Sequence, residues 1–156
     1  MRKLSGALIG LVIALAGTQA NAVCIYGGKL YAKTTVRREF RDSKWVVRAK
    51  VLQAHDDHDG PYTTYALSVL QSYKGSPPKP LIFFTMRDSG GFYLDKGTAH
   101  DVGGEYLLFL QPNDRREGDR SGLVGTVSAN YSCGQSKPWR EVGPRELEEL
   151  RRLSVG

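Results

Sequence analysis

Alternating apolar and polar positions divide much of the chain into short β-strands. In residues 45–52, Val47 and Val51 alternate with Arg48 and Lys50, which is typical of a strand that is buried on one face. Five further segments have strand-like composition and are separated by turn-forming residues: 62–73, 81–86, 92–94, 105–110 and 123–127.

Two of these segments have distinctive faces. The segment 62–73 places Tyr65, Leu67, Val69 and Gln71 on one side, whereas 81–86 is apolar on both sides and is therefore predicted to be central or covered. Short strands separated by glycine-rich turns favour a closed all-β core. The predicted fold is mainly β, a small antiparallel barrel of five to six strands.

Helices are predicted near both ends of the barrel. Thr34 or Thr35 can cap a short helix that ends at Asp42. A second helix begins at residues 143–144, where proline occupies the first turn. Its leucines recur every three residues on one face, as expected of an amphipathic helix that docks onto the barrel: Leu147, Leu150 and Leu153.

The N-terminal residues have the organisation of a secretory signal. Arg2 and Lys3 precede an apolar run over residues 7–17, and an Ala-x-Ala site follows at 20–22. A transmembrane anchor would need about 20 apolar residues, and no stretch of the chain has them. We therefore expect a signal peptide over 1–22, an OB-like domain over 23–135 and a C-terminal extension over 136–156. The mature protein would be exported, either to a periplasm or to the extracellular space.

The charge balance changes little once the signal is removed. The full chain has 22 basic and 16 acidic side chains, and loss of Arg2 and Lys3 lowers the net charge from +6 to +4. The charges are scattered, which favours a solvated basic surface, with an acidic glycan, lipid headgroup or protein as the alternative partner. Export disfavours nucleic acid as a partner.

Two cysteines remain in the exported chain, Cys24 and Cys133. Cysteines of exported proteins commonly form disulfides, so we expect this pair to be bonded, the alternatives being two free thiols or an intermolecular bridge. An intrachain bond would close a loop of about 110 residues and contribute roughly 4–5 kcal/mol in the chain-entropy model. It would also fix the N-terminal segment in place.

The order of these features resembles the netrin-like modules of the tissue inhibitors of metalloproteinases and their bacterial relatives. A cysteine near the mature N-terminus and a short helix precede four sequence motifs: WVVRAKVL at 45–52, YALSVLQSYKG at 65–75, GGEYLLFL at 103–110 and ANYSCG at 129–134. The resemblance covers residues 24–133. It implies a five-stranded OB-type barrel whose N-terminal segment is held by a disulfide.

The resemblance also implies a mode of action. In the animal inhibitors the first mature residue is a cysteine, and its amine and carbonyl chelate the zinc of the target protease. Here Val23 precedes Cys24, and the paired Cys-x-Cys start is absent, so Cys24 and Cys133 correspond only as a structural pair. We expect a non-enzymatic binding module that acts on a protein partner, with proteases as one candidate class. The expected contact edge is Val23, Cys24, Ile25 and Tyr26.

The sequence patterns for metal binding and catalysis are less specific. Two histidines and two carboxylates have the side chains of a zinc or copper site, although a hydrated hairpin loop is the simpler interpretation: His55, Asp57, His58 and Asp59. His100 is expected in a polar turn, and no nucleophile elbow, zinc-protease motif, phosphate loop or cofactor-binding motif is present. The alternative functions are a small exported hydrolase or metal-binding protein, using His100 or that loop, and a structural protein of the cell envelope.

Overall fold

The computed structural model describes residues 34–58, 60, 62–86, 94, 100–113, 125–131 and 134–156, together with the backbone at 25–26 and 29–30. The chain forms eight strands, two α-helices and one 3₁₀ turn over these residues, in this order: β1 (Ile25–Tyr26), β2 (Lys29–Leu30), α1 (Val36–Asp42), β3 (Trp45–Asp56), β4 (Tyr62–Lys74), β5 (Leu81–Met86), β6 (Glu105–Pro112), β7 (Val127–Ala129), β8 (Lys137–Pro138), the 3₁₀ turn (Trp139–Glu141) and α2 (Pro144–Ser154).

Five strands close into a barrel. Their spatial order is β3–β4–β5–β7–β6, and β6 returns to pair with β3. The pairs are antiparallel except for β5 and β7, which are parallel at Phe83 and Val127. β8 is one extra strand, paired with β6 beyond the barrel, and β1 and β2 form a separate hairpin. The predicted OB-like barrel with a short N-terminal helix and a C-terminal helix is thus confirmed.

The apolar side chains form two layers. One fills the barrel interior and includes Tyr65, Phe83 and Leu108. The other lies outside the barrel, where α1 and α2 cover β6. β6 is therefore buried on both faces: Leu108 points inward, whereas its neighbours Leu107 and Phe109 pack beneath the helices. This double burial explains why 105–110 is almost entirely apolar.

Both predicted helices are confirmed. Thr35 caps α1, and its side chain accepts a hydrogen bond from the Arg38 amide. Leu147, Leu150 and Leu153 of α2 join the outer apolar layer, as their spacing predicted. Among the described residues, no helix has the length and apolar character needed to cross a bilayer.

Several strand boundaries differ from the sequence predictions. β3 continues to Asp56, so the predicted loop starting at His55 begins too early, and the last barrel strand is Val127–Ala129 rather than 123–127. Gln71 is exposed, whereas Tyr73 packs in the outer layer, because β4 extends past the barrel interior beyond Val69. The predicted strand 92–94 falls largely outside the described residues, and so does the predicted signal at 1–22.

One lysine fixes the C-terminal end of α1. The Lys74 ammonium donates hydrogen bonds to the carbonyl oxygens of Phe40, Arg41 and Ser43 at 2.7, 2.9 and 2.7 Å. These carbonyls would otherwise lack partners at the helix end. A seven-residue helix is marginal alone, so α1 depends on such tertiary bonds.

Replacing this lysine should therefore destabilise the fold. We expect Lys74→Met to lower the free energy of unfolding by about 1–3 kcal/mol, because three carbonyls lose a charged donor. The measurement is urea denaturation followed by circular dichroism. Lys79→Met is the matched control, since Lys79 is exposed and should change stability by less than about 0.5 kcal/mol. Equal effects of the two substitutions would contradict this role of Lys74.

Candidate functional site

A buried carboxylate joins α1 to the chain that follows β7. Glu39 is fully buried, and its Oε2 accepts hydrogen bonds from the Thr34 hydroxyl at 2.6 Å and from the Gln135 amide at 2.7 Å. The Gln135 side chain returns a hydrogen bond to the Thr34 carbonyl. We call these three residues, together with Gly134, the Glu39 clasp: Thr34, Glu39, Gly134 and Gln135.

Gly134 allows the close approach that the clasp requires. A Cβ atom at this position would overlap both carboxylate oxygens of Glu39. Only glycine brings its backbone so near to a buried side chain without displacing it. The clasp therefore depends on residue 134 as well as on Glu39.

The same segment also contacts the other end of α1. The Tyr131 hydroxyl donates to Asp42 at 3.0 Å, and the Asn130 amide donates to the Ser43 hydroxyl at 3.1 Å. Cys133 lies between Tyr131 and Gly134 in the sequence, so both flanks of this cysteine are tied to α1. Cys133 itself, like Cys24, lies outside the described residues.

Burial dominates the electrostatics of the clasp. Burial raises the pKa of the Glu39 carboxyl above its ordinary value of 4.5, although bonds from Thr34 and Gln135 and the charge of Lys137 act in the opposite direction. In the described part of the chain, Oε1 of Glu39 accepts no hydrogen bond. Burying a charged carboxylate is costly when it is incompletely satisfied. Burial in the clasp therefore disfavours the charged form of the Glu39 carboxyl.

The sequence contains a signal for the role of Glu39. Glu39 lies on the same face of α1 as the apolar residues Val36 and Phe40, at helical spacing. A charged residue on the buried stripe of a helix needs a partner inside the fold. One partner, Thr34, is five positions away, but the other, Gln135, is 96 positions away, and local patterns do not reveal such a contact.

The predicted contact edge is described only in part. Ile25 and Tyr26 form β1, which pairs with β2 in an antiparallel hairpin that ends at Leu30, four residues before Thr34. A hairpin of two-residue strands is not stable by itself. Val23 and Cys24 lie outside the described residues, so the proposed disulfide stays a prediction.

The predicted metal ligands are not brought together in the described part of the chain. His55 is exposed on β3 opposite Thr64, His58 is exposed in the following turn, and the Asp57 amide bonds to the Tyr62 carbonyl. Asp59 lies outside the described residues. Within the described ranges, no three histidine, cysteine or carboxylate side chains form a metal-binding group. The metal site therefore stays a prediction without geometric support.

His100 pairs instead with a carboxylate of the same predicted loop. Its Nε2 lies 2.9 Å from Oδ2 of Asp56, whose other oxygen accepts a hydrogen bond from Thr63 at 2.6 Å. His100 and Asp101 have left-handed backbone conformations, with φ of 49° and 41°. Histidine and aspartate adopt this region more readily than most residues. The Asp56–His100 pair thus closes the turn that leads into β6.

The imidazole ring of His100 is held on two sides. One imidazole nitrogen faces Asp56, and the other, Nδ1, is buried. The ring of Tyr65 packs edge-on against the imidazole, with 6.0 Å between centroids. The hydrolase alternative stays a prediction.

No protein-family model matches the chain, and no curated protein matches it. The resemblance to netrin-like modules therefore stays a prediction.

Glu39 should give stability a characteristic pH dependence. Because the folded pKa is raised, the folded state binds this proton more tightly, and the free energy of unfolding should fall as the pH rises from 4.5 through the raised pKa. Glu39→Gln keeps a carbonyl acceptor and removes the charge. The variant should gain stability relative to the natural chain as the pH rises, measured by urea denaturation between pH 4 and pH 8.

Glu146→Gln is the control, because the pKa of Glu146 is shifted in the opposite direction to that of Glu39. Burial acts to raise the pKa of Glu146, but hydrogen bonds from Lys137 and the Gly143 amide outweigh it and lower the pKa. This carboxylate stabilises the fold above pH 4.5, and its contribution is lost as the pH falls through the lowered pKa. Parallel pH profiles for the natural chain and Glu39→Gln would show that Glu39 is not the buried charge described here.

Proposed function

We propose that the protein is an exported, non-enzymatic binding module that engages a protein partner through its N-terminal segment, residues Val23 to Tyr26. Proteases are the candidate class of partner that the netrin-like resemblance suggests. The N-terminal segment leads directly into the β1–β2 hairpin, which precedes Thr34 and α1. The barrel serves as the rigid support for this segment.

The observation that carries the proposal is the Glu39 clasp. It fixes Thr34, which precedes α1, to Gln135, the second residue after Cys133. A segment held at its base loses less conformational freedom when it binds, which favours affinity. A Cys24–Cys133 bond would add a second tie close to the first.

The clasp also supports the disulfide. Cys24 is adjacent to Ile25, which pairs with Leu30, four residues before Thr34 in the chain. Cys133 is adjacent to Gly134 in the clasp. Short stretches of chain thus connect both cysteines to one cluster of hydrogen bonds. This connectivity supports an intrachain bond over an intermolecular bridge.

The proposal predicts a stoichiometric protein partner that depends on the N-terminal side chains. The tagged mature protein should capture this partner from the extracytoplasmic fraction of the source cells. With the purified partner, Ile25→Ala/Tyr26→Ala should weaken binding at least about tenfold, because truncated anchor side chains commonly cost 2 kcal/mol or more. Titration calorimetry supplies the dissociation constants.

Leu52→Ala/Leu70→Ala is the matched control, since both leucines are exposed on the barrel wall. It removes comparable apolar area and should leave affinity within about twofold. Capture of no stoichiometric protein, or equal losses in the two double variants, would show that the N-terminal segment is not the contact edge.

The disulfide gives a separate prediction. Intact-mass analysis without reduction should show a chain lighter by two hydrogen atoms than its reduced form, and neither cysteine should be alkylated. Reduction should lower the free energy of unfolding by about 2–4 kcal/mol. It should also speed hydrogen exchange in residues 25–30 more than in the strands of the barrel. Alkylation of both cysteines before reduction would contradict the bond.

A further inference from the structure

The solvent-facing side of α1 consists almost entirely of arginine. Arg37, Arg38 and Arg41 have side chains that are 64%, 53% and 74% exposed. Lys44 follows the helix and is also exposed. The opposite side of the same helix is the buried stripe that contains Glu39. A seven-residue helix thus carries three exposed guanidinium groups within two turns.

The acidic side chains near these arginines are too few to neutralise them. Asp42 is shared by Arg38 and Arg41, at 3.7 and 2.9 Å. Glu149 of α2 is likewise shared by Arg37 and Arg152, at 3.5 and 3.8 Å. We call this surface the arginine face and define it by these seven residues: Arg37, Arg38, Arg41, Asp42, Lys44, Glu149 and Arg152.

The arginine face holds the excess positive charge of the described chain. It contains five basic and two acidic side chains. The remaining described side chains comprise eight basic and eight acidic groups, which balance. Four of its basic residues lie within 37–44 of the sequence, and the fold adds Arg152 and Glu149, whose charges balance. A local surplus of one sign attracts partners of the opposite sign.

The helix that carries these arginines, α1, is fixed at both ends and on its buried face. Thr35 caps the start of α1, Lys74 holds its last carbonyls and Phe40 is buried beneath it. Positioned guanidinium groups lose little freedom on binding and can hold carboxylates in a two-pronged geometry. The ion pairs at 3.5–3.8 Å are exposed and weak, so a partner can displace them at small cost.

We propose that the arginine face binds an acidic surface segment of the protein partner. This inference rests on the proposed function in taking the partner to be a protein. α1, which carries three of the arginines, begins two residues after Thr34, the residue that the clasp holds.

The absence of apolar anchors favours a protein over a membrane. In the described part of the chain the large exposed apolar residues are Leu52, Leu70, Val102 and Val155, and none lies on α1. Peripheral binding to a bilayer usually combines basic residues with inserted apolar side chains. Carboxylates of a folded protein need only the fixed guanidinium groups that α1 supplies.

The test uses a fluorescent peptide rich in glutamate and aspartate, titrated with the mature protein at low ionic strength. Arg37→Gln/Arg38→Gln/Arg41→Gln should weaken binding at least about tenfold and flatten its salt dependence. The control is Lys50→Gln/Lys79→Gln/Arg140→Gln, which removes the same charge from exposed positions elsewhere. It should change affinity by no more than about twofold. Arg41→Glu, a single change, is the replacement if the α1 triple variant does not fold.

Three outcomes would overturn the inference. They are no measurable binding to the acidic peptide, equal weakening in both triple variants, and tighter binding to phosphatidylglycerol vesicles than to the peptide. None of them bears on the Ile25→Ala/Tyr26→Ala comparison, which tests the N-terminal segment with the captured partner. The two proposals can therefore fail separately.

Discussion

The buried carboxylate of Glu39 is the interaction on which the arrangement of the chain ends depends. It connects Thr34, two residues before α1, to Gln135 in the segment after β7, two parts of the chain about 100 residues apart. A helix of seven residues has too few internal hydrogen bonds to be stable alone. The clasp at one end and Lys74 at the other therefore determine where α1 lies and, with it, where the N-terminal segment leaves the fold.

Apolar packing and lysine side chains connect both helices to the barrel. β6 contributes side chains to both apolar layers, so it joins the barrel interior to the helices. Lys74 ends β4 and bonds to α1, whereas Lys137 of β8 pairs with Glu146 of α2 at 2.5 Å. Each helix is thus attached to the barrel by apolar packing and by one lysine. Packing provides most of the free energy, and the lysines select the orientation.

Features that follow a local period could be predicted from the sequence. The inward positions of β3 repeat every two residues, and the leucines of α2 repeat every three. The starts of both helices have local capping or proline signals. The Asp56–His100 pair and the Glu39 clasp could not be predicted, because each joins segments at least 44 residues apart. The predicted start of the histidine loop was wrong, because β3 continues through His55 to Asp56. The metal site in that loop stays a prediction.

The two faces of α1 have opposite electrostatic constraints, and this affects how variants of the helix must be interpreted. Its buried face holds one negative charge at a desolvation cost, whereas its exposed face presents arginines that water solvates well. A substitution that opens the clasp releases Thr34 and can also move the arginines, because both are fixed to one short rigid helix. Loss of partner binding in a clasp variant would therefore not distinguish the N-terminal segment from the arginine face. Substitutions confined to exposed side chains leave the helix in place, and only these separate the two surfaces.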